Sequence, residues 1–291
     1  MTVEPERGTA ILKWDEENPC VVGVLLESAL GTLCTNTTRA SPFVYRVSLP
    51  GFRCVSNEAV EEARRAESPV DAGYSAYKLH SALPGAIDDP SDQTIETVRE
   101  VRAAVGPDIE ILVDVNGAFS AHHAIEIGKA LEDLGVFHFE EPRPHYDLEG
   151  LATVADALDI PIASGEMIYT HWQFKDLILR GRVDILQPDI VKVPGFTEFQ
   201  RIAALASAFG KPITVHNIQP TLSAVAHLHV CAAYAIIPYA QEYNIEPISI
   251  RDEWPILKNP LEVKDGYLDV PSGPGLGVEL DEDVIERLAN V

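Results

Sequence analysis

The sequence predicts an α/β fold in which eight parallel strands alternate with helices and close into a barrel. Three observations predict it. From about residue 43 onward, short β-branched or aromatic runs alternate with longer amphipathic segments, and no hairpin signal interrupts them. Polar residues recur at nearly constant intervals. Asp114, Glu140 and Glu166 are separated by 26 and 26 residues, and Asp189, His216 and Glu242 continue at 23, 27 and 26. Such an interval holds one strand, one helix and two short loops. Finally, 291 residues suit one α/β barrel better than two ordinary domains. The expected architecture is a (β/α)7β, TIM-like barrel over residues 43–248.

Each element follows from local pattern. Phe43–Val47 reads as the first strand, and Asn57–Ala66 as a helix with Ser56 or Asn57 as N-cap. Ala76–Leu79 is the second strand. A helix opens at Ser91-Asp92-Gln93-Thr94, runs to about Val105 and stops at Gly106-Pro107. Ile109–Val113 is apolar apart from Glu110, and reads as a strand buried on both faces. Helix Ala121–Leu134 leads to strand Phe137–Phe139, Leu148–Leu158 to Ile162–Ala163, and Thr170–Arg180 to Ile185–Leu186. Phe196–Phe209 leads to Ile213–Val215, and Leu222–Ala233 to a last strand near Ala240–Glu242. The tail, 249–291, is rich in Pro and Gly. It is expected to pack on the outside of the barrel or against the N-terminal region, ending in helix Glu282–Ala289.

Bulk properties narrow the function classes. A net charge of −23 argues against nucleic acid or an anionic membrane as partner. No apolar run is long enough to span a bilayer, and the first residues lack a basic n-region and apolar core, so a cytoplasmic location is expected. The acidic residues are spread through the helices rather than gathered in a tail. Adaptation to high salt and an ordinary acidic surface both remain open. Cys20, Cys34, Cys54 and Cys231 show neither C-x-x-C nor zinc-finger spacing, and read as free buried thiols.

The polar interval carries the chemistry. A polar residue at the end of each strand of a repeated βα unit is how a barrel builds an active site at one rim. Asp114, Glu140 and Glu166, brought together there, repel one another and raise one another's pKa unless a cation sits between them. Such hard oxygen ligands suit an octahedral Mg²⁺ with positions left for substrate.

The ordered motifs V-D-V-N (113–116), F-E-E-P (139–142), S-G-E (164–166), P-D-I-V-K (188–192), V-H-N (215–217), Q-E-Y-N (241–244) and the closing P-G-L-G-V-E-L-D (274–281) resemble the mandelate racemase subgroup of the enolase superfamily. The resemblance spans roughly residues 43–280. It implies that Asp114, Glu140 and Glu166 are the Mg²⁺ ligands at the ends of strands three to five. It also implies removal of a proton α to a carboxylate, with the resulting enediolate stabilised by Mg²⁺. His216 is then the general base or acid, Asp189 holds its tautomer, and Glu242 hydrogen-bonds the substrate carboxylate. Asn116 and Lys192 match the D-x-N and P-D-x-x-K motifs and are expected to contact substrate. So is Tyr169, which follows Glu166 closely.

Strand two departs from the family pattern. Many members carry K-x-K there, whereas this chain has Lys78-Leu79-His80. Lys78 is expected to neutralise the substrate carboxylate, and His80 to act as a weaker acid or base or to position substrate. Racemisation needs an acid/base on each face, so the substitution favours dehydration of a sugar acid, an aldonate or aldarate, to a 2-keto-3-deoxy acid. Racemisation or epimerisation of a 2-hydroxy acid is the alternative, and a catalytically weak carboxylate-binding barrel a third reading. The glycines at 273–277 lack the strand and helix of a dinucleotide loop, and His122, His123, His227 and His229 lie on helix patterns as surface or packing residues. The family begins with an α+β capping domain. Residues 1–42 are too few for it and are expected to be the remnant of a truncated capping region. A homo-oligomer is the expected assembly.

Overall fold

The computed structural model describes residues 43–48, 59–82, 87–219, 221–245 and 249–289. Strands β1 (Phe43–Ser48), β2 (Ala76–His80), β3 (Glu110–Asp114), β4 (His138–Glu140), β5 (Ile162–Ser164) and β6 (Ile185–Leu186) pair in sequence order, and β7 (Gln241–Asn244) lies on the other side of β1. Every one of these pairings is parallel. Helices α1 (Ala59–Asp71), α2 (Thr94–Val105), α3 (Ala121–Asp133), α4 (Leu148–Ala155), α5 (His171–Asp176), α6 (Gly195–Phe209) and α7 (Leu222–Ala233) fill the crossovers. The expected α/β barrel alternation is present. The expected remnant, 1–42, lies outside the described residues.

The elements differ from expectation where tertiary contacts outweigh local pattern. The first helix continues past Ala66 to Asp71 with Pro69 inside it. Pro69 removes only a last-turn hydrogen bond, and its buried ring packs in exchange. Thr170 and Gln173 cap α5 reciprocally in a capping box, and the helix then widens into a π turn at Leu177–Gly181.

The seventh strand, expected at Ile213–Val215, is a single parallel bridge from Ile213 to Leu186. Toward β7, side chains replace the ladder. Val215 N–H donates to Gln241 Oε1 at 2.8 Å, Asn217 N–H to Glu242 Oε2 at 3.1 Å, and Asn217 Nδ2 to the Glu242 carbonyl at 3.2 Å. A buried N–H left unpaired costs about as much as a lost hydrogen bond, so these side chains close the seam that the short strand leaves open.

Strand faces sort as their burial dictates. Ile111, Val113, Phe139 and Ile162 join helix residues Val98, Val101, Ala124, Ile127 and Leu131 in one buried apolar layer. The inward faces of β2, β3 and β4 carry Lys78, His80, Leu112, Asp114, His138 and Glu140. The tail adds β8 (Tyr267–Leu268), antiparallel to β1, between two short helices, α8 (Ser249–Asp252) and α9 (Glu282–Leu288). Leu268 packs with Ala224, Leu228 and Tyr243 in a small second cluster on α7 and β7.

Candidate metal centre and its histidines

Parallel register brings the carboxylates to one rim. His80 pairs with Asp114 and Asp114 with Glu140 across β2, β3 and β4, so the three occupy one rung. Lys78, Leu112 and His138 form the rung beneath it. Glu166 follows β5 after Gly165, whose φ is +136°. A Cβ there would lie 2.7 Å from the Phe174 ring and 3.0 Å from Gln187 N, so only glycine allows the chain to turn Glu166 toward the rim.

One ligand oxygen from each of Asp114, Glu140 and Glu166 lies within 4.8 Å of the others, and all three residues are buried. Asp114 Oδ2 and Glu140 Oε2 are buried without a hydrogen-bond partner. Burial, then the charge of Glu140, lifts the Asp114 carboxyl to about 7 against the pull of Lys78. Acceptor-only oxygens held together at this cost fit a hard divalent cation such as Mg²⁺. The acids converge as one set at the rim, as their spacing leads one to expect.

Lys78 is the resident cation. Its Nζ donates to Glu140 Oε1 at 2.6 Å and lies 3.1 Å from Asp114 Oδ2 and 3.5 Å from Glu242 Oε1. Burial disfavours the ammonium, but the carboxylates of Glu140, Glu242 and Asp114 outweigh it and hold Lys78 well above the ordinary lysine value. The ammonium therefore faces the protein's own carboxylates.

His216 and Asp189 form the expected pair. His216 Nδ1 lies 2.8 Å from Asp189 Oδ2, and Nε2 lies 3.0 Å from Glu166 Oε2. Burial opposes the charged imidazole, yet Glu242, Asp189 and Glu166 together raise it to about 10. In Glu166 the opposition of burial is likewise overcome, by the His216 hydrogen bond and by the charges of His216, Lys78 and Lys192, and its carboxyl sits well below the usual range. Lys192 Nζ is 3.7 Å from Glu166 Oε1. His80 Nδ1 is 3.0 Å from Asn116 Oδ1 and 3.5 Å from Asp114 Oδ2. Ten of the eleven residues singled out in the sequence are thus linked in one network. Tyr169 stands apart, 46% exposed at the rim.

Four further residues serve the site. Glu141, the second Glu of E-E-P, adopts φ +43° and is buried. Burial, then Glu166, Asp114 and Glu140, pushes its carboxyl well above the ordinary value. His227 lies within the core, where Nε2 accepts the Ile190 N–H at 2.9 Å, and burial lowers it to about 4. It is therefore neutral, and its 3.5 Å approach to Asp189 is not an ion pair. Its packing role was expected; its place beside Asp189 was not. Asn217 binds Glu242 and accepts from Ser223 Oγ at 2.9 Å. Buried His138 lies beneath Glu140, and burial holds it down to about 3. Strand alternation, His138 and Glu140 being two apart on β4, was the signal that could have found it.

Comparison with known proteins agrees with this geometry. The family model described as "Enolase C-terminal domain-like" matches residues 58–284. Arabinonate dehydratase of Saccharolobus solfataricus is 35% identical over 196 residues, 67% of this chain and 52% of that protein. D-gluconate dehydratase of Thermoproteus tenax is 31% identical over 233 residues, 77% of this chain and 46% of that protein. The chain thus spans about half the length of these curated relatives. A mandelate racemase/muconate lactonizing protein from Paracoccus denitrificans, solved in complex with magnesium, superposes with a TM-score of 0.77 at 34% identity. That alignment covers 84% of this chain and 66% of the other. Among the described residues no helix is long and apolar enough to cross a membrane. With the family match, the rim carboxylates and the ordered strand-end motifs in agreement, this chain belongs to the enolase C-terminal domain-like family, in its mandelate racemase group.

Proposed function

We propose that the chain is the barrel of a Mg²⁺-dependent sugar-acid dehydratase, a hydro-lyase acting on an aldonate or aldarate. The observation that carries the reading is the adjacency of two units. The Asp114–Glu140–Glu166 set meets the His216–Asp189 pair through a 3.0 Å contact between His216 Nε2 and Glu166 Oε2. Dehydratases of two sugar acids are among its relatives.

Asp114, Glu140 and Glu166 hold the cation, which when bound supplies positive charge against the anion that α-deprotonation creates. His216 takes the α-proton through Nε2. The surroundings that raise its pKa make its neutral form the stronger base. Asp189, on Nδ1, fixes the tautomer that presents the Nε2 lone pair. The same His216 then returns a proton to the β-hydroxyl as the C–O bond breaks. One water leaves, and the enol formed tautomerises to the 2-keto-3-deoxy acid. Glu242 and Lys192 line the rim as hydrogen-bonding and cationic partners for the substrate, with Asn116 and Tyr169 at its edge. His80, joined to Asn116, replaces the second strand-two lysine and leaves the opposite face without a strong base.

Incubation with Mg²⁺ and a panel of aldonic and aldaric acids tests this. A 2-keto-3-deoxy product is the expected result. Exchange of the α-proton in D₂O with no keto product would instead establish the racemase reading, and Mg²⁺ binding with neither signal the carboxylate-binding one.

A further inference from the structure

We propose that the barrel interior beneath Glu140 is a built water site, and that His138, Gln187 and Thr214 use it to hold the rear oxygen of Glu140 in place for the cation. The inference rests on reading Asp114, Glu140 and Glu166 as the metal centre, and its test separates the two.

A small space of about 10 Å³ for the centre of a water-sized occupant lies between Lys78, His138, Glu140, Gln187 and Thr214. That is room for about one water. Barrels of this class fill such layers mainly with branched apolar side chains. Here the layer is polar and under-satisfied. Both ring nitrogens of His138, Gln187 Oε1, Thr214 Oγ1 and Glu140 Oε2 are buried with no hydrogen-bond partner, although His138, Gln187 and Thr214 are each no more than 4% exposed. Leaving each such group unsatisfied costs about 1–3 kcal/mol, so several facing one small space call for a shared partner.

The donors and acceptors match one water. Thr214 O–H donates to it. Its two protons go to Gln187 Oε1 and to the unprotonated ring nitrogen of His138. That choice fixes the His138 tautomer, leaving the N–H on Nε2, 3.5 Å from Glu140 Oε2. Glu140 then has Lys78 hydrogen-bonded to Oε1 at 2.6 Å, and the His138 Nε2–H faces Oε2 at 3.5 Å as an electrostatic contact longer than a hydrogen bond. A partner of this kind orients a ligand without touching the metal, and His138 is a positioning residue.

Two measurements test it. The first is a crystal structure at a resolution that places waters. Density within hydrogen-bond distance of Thr214, Gln187 and His138, absent in Thr214→Val and restored in Thr214→Ser, is expected. A dry space, or a sphere with contacts near 2.4 Å that identifies Na⁺, overturns the water site. The second is Mg²⁺ titration by calorimetry. His138→Leu is expected to weaken Mg²⁺ by about tenfold, while His138→Gln, which keeps a donor and an acceptor, stays near the wild-type value. Thr214→Val, nearly isosteric, should weaken Mg²⁺ in the same direction if His138→Leu does not fold. Unchanged affinity in a folded variant overturns the positioning role. A wild-type protein that binds no Mg²⁺ overturns the metal reading and this role with it, while the water density still decides the interior site.

Discussion

Lys78 Nζ sits 2.6 Å from Glu140 Oε1 and 3.1 Å from Asp114 Oδ2, one rung beneath the rim and almost wholly buried. A lysine on β2 therefore neutralises acids on β3 and β4, and the cation and the ligands share one electrostatic balance. Lys78→Met should lower the stability of the metal-free protein by about 3–5 kcal/mol, as expected when one partner of a buried ion pair is removed. Saturating Mg²⁺ should recover part of that loss, because a second cation then opposes the same carboxylates. Thermal melts with and without Mg²⁺ measure both quantities. Equal deficits in the two conditions would show that Lys78 and the cation act on different groups.

Removing a ligand should act differently. Asp114→Asn relieves a buried repulsion while deleting a hard donor. The metal-free protein is expected to melt at or above the wild-type temperature, while Mg²⁺ affinity falls by at least about tenfold, at the lower end of what a lost partner of the metal causes. Calorimetric titration beside a melt reads the two effects separately.

Asp189→Asn leaves the shape of the site but removes the charge that orients His216. The turnover number should fall by about 10²–10⁴, the range that general acid–base catalysis supplies, with KM and Mg²⁺ affinity little changed. Steady-state kinetics on the active sugar acid decide it. A change confined to KM would remove Asp189 from the proton-transfer machinery.

Acid should destabilise the protein partly through His227. Its folded pKa, about 4, lies below the unfolded value of 6.5 because burial disfavours the imidazolium. Stability from keeping it neutral is complete above 6.5 and is lost as pH falls toward 4. The charged groups facing it, Asp189, His216 and Glu242, are all on the site side. The full effect amounts to about 3 kcal/mol at 1.36 kcal/mol per pH unit. Denaturant titrations at pH 7 and pH 4.5 should show a steeper loss in wild type than in His227→Gln. Parallel losses would assign the acid lability elsewhere.

Glu198 should protect the protein at still lower pH. Burial works against its charge, but the backbone and imidazole of His171 and the Arg201 guanidinium outweigh it and lower its carboxyl to about 2. Its contribution is present above pH 4.5 and disappears as pH falls toward 2. The contact pins the start of α5 to α6, just beyond the turn that carries Glu166. Glu198→Gln should therefore lose stability at pH 7 and show a flatter acid limb below pH 4.5, read by far-UV melts across that range.

The strand-end residues were legible in the sequence because a parallel barrel repeats one unit. Equal spacing puts Asp114, Glu140, Glu166, Asp189, His216 and Glu242 at the same height, and the residue types then state the chemistry. The strand and helix alternation was legible for the same reason, since apolar periodicity is local. By itself the sequence determined the family, the barrel and the order of polar residues around its rim.

The tertiary structure decided what lies across the barrel. That Lys78 turns to Glu140 and Asp114, that Asn217 and Gln241 stitch the seam left by a one-bridge strand, and that His227 rests on Asp189 depend on residues 25 to 62 positions apart. Alternation on β4 puts His138 on the same face as Glu140, but it does not say which residues lie beside it. The register of β3 and β4 placed it under Glu140. Periodicity records which face of an element is buried, but pairing across the interior is set by register and closure, and only the folded barrel contains them.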